Sequence, residues 1–103
     1  MRTERLFAAE SLEDGEIRRH EIDGYGPVSV CRIGAEYFCF DDTCTHEDAS
    51  LADGEIDGDE VVCPFHMGSF NIRTGDAVRA PCFHPLKVHE TAVVGGDLVI
   101  TLR

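Results

Sequence analysis

The chain has 103 residues, with 20 acidic side chains against nine Lys and Arg, a formal charge of -11 and a pI near 4.6. That balance excludes a nucleic-acid binder, which needs Lys and Arg clusters to neutralise phosphates, and disfavours an anionic membrane surface. It favours a partner with a basic docking face. An apolar share of 43% excludes disorder, and the length gives one domain over residues 1–103.

The opening stretch, MRTERLFAAESLEDGEI, is too acidic and too poor in apolar residues for a signal peptide. No apolar run approaches the ~20 residues of a membrane span, so the expected location is the cytoplasm. Within that stretch Ser11 is expected to cap one helical turn that Gly15 ends. Pro27–Ile33 and Glu36–Phe40 flank Gly34–Ala35 and read as the arms of a hairpin. Glu60–Pro64, Ser69–Ile72 and Ala77–Ala80 read as further strands, the last two separated by a turn at Arg73–Asp76. Leu86–Val94 and Asp97–Leu102 flank Gly95–Gly96 and form the clearest hairpin. Helical periodicity is almost absent. The predicted class is all-β, built from small antiparallel sheets or a barrel.

From Asp41 to Glu60 there are nine carboxylates and no Lys or Arg. The stretch reads either as a solvated loop or as a docking surface, and it joins two ligand pairs. Cys44 and His46 form Cys-x-His; Cys63 and His66 form Cys-x-x-His, with sixteen residues between the two pairs. Thiolate and imidazole together suit zinc, copper or iron rather than calcium or magnesium. One Cys and one His in each pair fits a single tetrahedral zinc, as in a zinc-stabilised acidic binding module. It fits equally a diiron cluster with two sulfides, one iron taking both thiolates and the other both imidazoles. A Cys–His nucleophile is disfavoured, because nearby carboxylates raise a thiol's pKa. Five cysteines, an odd number, make no disulfide framework.

Cys44-Thr45-His46 and Cys63-Pro64-Phe65-His66 resemble the ligand motifs of the Rieske [2Fe–2S] proteins. Phe70 and the RTGDAVRAP stretch after it are similar to the same family. The likeness runs nearly the whole chain and is closest to the small ferredoxins of aromatic-ring dioxygenase systems. The resemblance implies a Rieske-type domain with cluster-binding loops near 44–48 and 63–68 and a covering Pro-containing loop near 81–85. It implies one [2Fe–2S] cluster, with Cys44 and Cys63 on the inner iron and His46 and His66 on the outer. It implies an electron carrier, not an enzyme, between a flavin-containing NAD(P)H reductase and a terminal oxygenase. A Rieske-like small subunit of nitrite reductase is the nearest rival.

Some departures within the resemblance are informative. The Rieske proteins of respiratory and photosynthetic cytochrome complexes carry a disulfide between their ligand loops; the matching positions here are near Ala49 and at Phe65. Those proteins also place hydroxyl residues where this chain has Gly68 and Phe70. Fewer donors to the cluster sulfurs imply a low potential. Many relatives have glycine where Met67 stands. Of the remaining candidates, Cys31 and Cys39 are expected to be inert buried thiols. Cys82 is expected near the metal without binding it, His20 and His89 on the surface or in strands, and His84 exposed or beside the cluster loop.

Overall fold

The computed structural model describes residues 2–65 and 67–103. Among these residues ten strands form two antiparallel sheets. The chain begins with β1 (Arg2–Ala8), β2 (Ile17–Ile22), β3 (Gly26–Ile33) and β4 (Glu36–Asp41). Then come β5 (Glu55–Asp57), β6 (Glu60–Val62), β7 (Ser69–Asn71), β8 (Ala77–Arg79), β9 (Val88–Val94) and β10 (Asp97–Leu102). The larger sheet runs β1-β10-β9-β4-β3-β2 and the smaller β5-β6-β7-β8. The only helical pieces among the described residues are 3-10 turns at Ala9–Ser11 and Leu51–Asp53. None is long and apolar enough to cross a membrane.

Alternation along β3 and β4 explains why the larger sheet is covered on both faces. Val28, Val30 and Cys39 pack with Leu98, Ile100 and Leu102 of β10 in one cluster. β3 and β10 are not neighbours in the sheet, and Cys39 of β4 lies between them in this cluster. Cys31 and Phe40 point the other way and join Leu51, Val61, Phe70, Ile72 and Leu86 in a second cluster. This cluster also contains Cys44, Cys63 and Cys82. Arg73 ties the smaller sheet to the larger: it binds Glu36 through two bonds of 3.0 Å, reaches Asp59 at 3.2 Å and lies over the Phe38 ring.

The helical turn falls earlier than the sequence suggests. Ala9–Ser11 forms it, no side chain caps it, and Ser11 Oγ donates to the Ala8 carbonyl at 2.7 Å. β1 continues to Ala8 and Ala9 N–H is bound by Gly96 O, so the chain has already turned before Leu12. His89 lies in β9 as expected, but buried rather than at the surface. Its Nδ1 accepts the Arg103 N–H at 3.0 Å and its Nε2 faces Asp41 at 2.8 Å. An Nδ1 that accepts leaves Nε2 to carry the ring proton, so the imidazole donates to Asp41.

Candidate metal centre

Two loops leave the sheets toward the same place. β4 ends at Asp41 and leads to Cys44; β6 ends at Val62 and leads to Cys63. Each loop is closed in the same way. Cys44 N–H donates to Ala49 O at 2.9 Å, and Cys63 N–H to Gly68 O at 2.7 Å. Just outside these bonds, Thr43 pairs with Ser50 and Val62 with Ser69, both antiparallel. The two cysteines therefore occupy equivalent backbone positions in loops of equal length. Both are buried in the same apolar cluster. Burial first, and then Cys44 beside it, pushes the Cys63 thiol up to about 11. Loading iron must displace that proton.

His46 is exposed on the first loop, with Nε2 at 3.5 Å from Glu47 Oε1. His66, the fourth predicted ligand, lies outside the described residues. Among the described residues no group of three or more His, Cys, Asp or Glu converges as a single metal-ion site. The donors suit a cluster nonetheless: two soft thiols side by side in an apolar pocket, with an imidazole on the solvent side.

The third loop starts at the cis Ala80–Pro81 bond and closes over the pair. Cys82 is buried in the same cluster as Cys44 and Cys63, and burial pushes its thiol up to about 12. Thr45 Oγ1 donates to the exposed His84's carbonyl at 2.9 Å, fastening this loop to the first. Gly68 is what lets it approach, since a Cβ there would come 2.5 Å from Cys82 Sγ. At Met67 φ is +61°, a conformation that glycine adopts without strain.

The acidic stretch is neither one loop nor uniformly solvated. Asp42 is buried: its Oδ1 accepts Ser29 Oγ at 2.6 Å, Ser50 Oγ at 2.8 Å and Ala52 N–H at 3.2 Å. It holds both ends of the chain around the first ligand loop. Asp41 accepts Tyr25 Oη at 2.6 Å as well as His89. Burial works against its charge, but these two bonds outweigh it and hold the carboxyl below its usual range. Asp57 and Asp59 sit at the tip of the β5–β6 hairpin, away from Cys63, and pair with Arg79 and Arg73. Glu60 accepts Ser69 Oγ at 2.6 Å. Asp53 and Glu55, by contrast, line a cleft with Val62, Cys63, Pro64 and Met67, beside the second ligand loop. Phe65, Met67 and Phe83 are the large apolar side chains exposed around the loops. Sequence reasoning missed the role of Asp42. The signal was its place two residues before Cys44, at the end of an apolar strand.

The family model for the Rieske [2Fe–2S] domain matches residues 4–90. Ferredoxin CarAc of Metapseudomonas resinovorans is 42% identical over 96 residues, spanning 93% of this chain and 90% of that protein. The ferredoxin component of the p-cumate 2,3-dioxygenase system of Pseudomonas putida is 40% identical over 96 residues, spanning 92% and 81%. A solved complex of reduced oxygenase and oxidised ferredoxin in carbazole 1,9a-dioxygenase contains a chain that superposes with a TM-score of 0.92 at 40% identity. The match covers 96% of this chain and 92% of that one.

Proposed function

This chain belongs to the Rieske [2Fe–2S] domain family, and from that premise we propose the following route for its electron. A flavin-containing NAD(P)H reductase supplies it, and the terminal oxygenase of an aromatic-ring dioxygenase system receives it. The protein is an electron carrier of the Rieske-ferredoxin type, not an enzyme, and the ring chemistry belongs to the oxygenase. Residues 1–103 act as one domain, in the cytoplasm where NAD(P)H is the reductant.

Cys44 and Cys63 hold the inner iron and His46 and His66 the outer iron. The observation that carries this is the buried pair of thiols delivered by two identically closed loops, with His46 turned outward. When bound, the cluster supplies a one-electron couple in which reduction adds one negative charge. The chain's own residues set the conditions for it. The apolar cluster around Phe70, Val61 and Leu86 keeps water from the thiol side. His46 and His66 offer the short path outward, and the exposed Phe65, Met67 and Phe83 give a small apolar face for transient contact. Asp53 and Glu55 add negative charge at its margin, which suits a basic partner.

Iron and acid-labile sulfide should each be found at about two per chain, with a Rieske electron paramagnetic resonance signal after dithionite. One zinc and no sulfide would refute the cluster. Cys63→Ser and His46→Ala should each lose it; full iron retention in either variant refutes that ligand. Transfer to a dioxygenase oxygenase in single turnover tests the acceptor.

A further inference from the structure

Asp41 ends β4, at the root of the first ligand loop. One of its oxygens, Oδ1, is held twice, by Tyr25 Oη at 2.6 Å and by the His89 Nε2–H at 2.8 Å. The imidazole that makes the second bond cannot turn away. His89 is 3% exposed, its Nδ1 is occupied by the Arg103 N–H at 3.0 Å, and the Tyr25 ring meets it edge-on with centroids 5.5 Å apart. The main chain is fastened as well: Asp41 N–H donates to Lys87 O at 3.0 Å and Asp42 N–H to Pro27 O at 3.2 Å. Among the described residues no donor reaches Oδ2, and no Lys or Arg pairs with this carboxylate. Beside it opens a cleft of about 370 Å³ lined by Tyr25, Pro27, Asp41 and Thr43. The lining joins an aromatic ring and a proline to a carboxylate and a hydroxyl, with no positive group among them.

We propose that this cleft is a docking seat for one Lys or Arg side chain of the terminal oxygenase, with Asp41 as its anion and the Tyr25 ring as its wall. This rests on the electron-carrier reading above. A cation that meets a carboxylate oxygen and an aromatic face together gains from both. Exposed ion pairs are weak largely because two mobile side chains must be fixed. Here His89 and Tyr25 fix one of the two before the partner arrives. Burial opposes the charge on Asp41, but those two bonds outweigh it and keep the carboxylate ionised. The place of the cleft points to a redox partner. Thr43 is adjacent to Cys44, so a side chain seated there lies beside the first ligand loop, where the electron leaves. The chain's formal charge of -11 favours a basic surface on that partner. Asp53 and Glu55 flank the second loop; Asp41 gives the first loop an anion of its own. His89 is a positioning residue: it is buried away from the partner and aims the carboxylate that meets it.

The experiment is surface plasmon resonance of the iron-loaded protein over immobilised dioxygenase oxygenase, with the reductase in a second channel, across a salt series. Iron and sulfide are counted in every sample. Asp41→Asn should weaken oxygenase binding about fivefold at low salt and flatten its salt dependence. Tyr25→Ala removes the wall at a half-exposed position and should weaken binding to a similar degree, which keeps the test open if Asp41→Asn loads poorly. Glu10→Gln, at an exposed carboxylate in the first 3-10 turn, changes net charge by the same unit and should bind as the wild type. His89→Gln, which keeps a donor and an acceptor, should retain most of the affinity that His89→Leu loses. Equal weakening by Asp41→Asn and Glu10→Gln would overturn the seat in favour of steering by overall charge. Wild-type affinity in Tyr25→Ala would overturn it too, and equal losses in the two His89 variants would remove the positioning role. Weakening toward the reductase alone would overturn the oxygenase as occupant. A wild type that binds no oxygenase refutes the acceptor and this seat together; wild-type binding that no variant alters refutes the seat alone.

Discussion

Replacing Asp42 with alanine should loosen the first ligand loop more than any other change to the acidic stretch. The carboxylate is almost fully buried and one oxygen accepts two hydroxyls and the Ala52 N–H. Alanine strands all three donors. A buried donor without a partner costs about 1–3 kcal/mol, and the two hydroxyls can rotate to recover part of that. The Arg19 Nε contact at 3.8 Å adds little, because that guanidinium is half exposed. The sum is about 3–5 kcal/mol, in line with removing one partner from a buried charged network. At ~1.4 kcal/mol per factor of ten, the low end raises the open population of the loop roughly 150-fold. The assay is loss of visible absorbance from the iron-loaded protein in sub-denaturing urea with a chelator, where release follows loop opening. Asp42→Ala should release iron about two orders of magnitude faster. Asp42→Asn, which keeps an acceptor oxygen but loses the charge, should fall between. A release rate within twofold of wild type for Asp42→Ala would refute the view that this carboxylate organises the loop.

Neutralising Asp53 and Glu55 should lower the association rate with a basic redox partner and flatten its dependence on ionic strength. Neutralising Asp57 and Asp59 should leave both unchanged, and stopped-flow kinetics across a salt series distinguishes the two pairs. Met67→Gly should hold or raise stability by up to about 1 kcal/mol. It removes a left-handed strain of roughly 1–2 kcal/mol and offsets part of that gain with glycine's extra unfolded freedom. Urea midpoints of the loaded proteins check this, and a clear loss refutes it. Burial raises the Cys31 thiol from 9.0 to about 12, so the folded chain holds this proton more tightly than the unfolded chain. The associated stability is complete below about pH 9 and declines as pH rises toward 12. Cys31→Val should therefore lose less stability than the wild type between pH 9 and 11, read as urea midpoints; equal slopes would contradict it.

The strands that alternate strongly were legible, and so was the ligand motif. Gly34–Ala35 and Gly95–Gly96 mark their hairpins because a tight turn and period-two burial are local properties. β5 was missed because Glu55–Asp57 has no apolar run; it is a strand because Val61 and Val62 beside it need a partner. The acidic stretch misled for a related reason. Charge composition does not say which carboxylates meet a donor across the fold, and Asp42 meets Ser29 only after β3 and the first ligand loop come together. Asp57, Asp59 and Glu60 look like a free acidic cluster in the sequence, yet Arg73 and Arg79 reach them from beyond Cys63. Cys82 was expected near the metal, and its close approach to the second ligand loop depends on the absence of a side chain at Gly68, a long-range fact.

The shared closure of the two ligand loops has a consequence for how such a chain can vary. Each cysteine is set by a bond to the residue five positions later and by a strand pair just outside it. One residue added inside either loop would break that bond and carry its sulfur out of register with the other. The segment between the loops has no such tie at Gly58, where the β5–β6 hairpin turns in open space. Length is therefore fixed where the sulfurs are placed and free at that tip. A loop grafted at Gly58 could carry a new recognition sequence or a surface anchor for an electrode while the metal-binding frame stays unaltered.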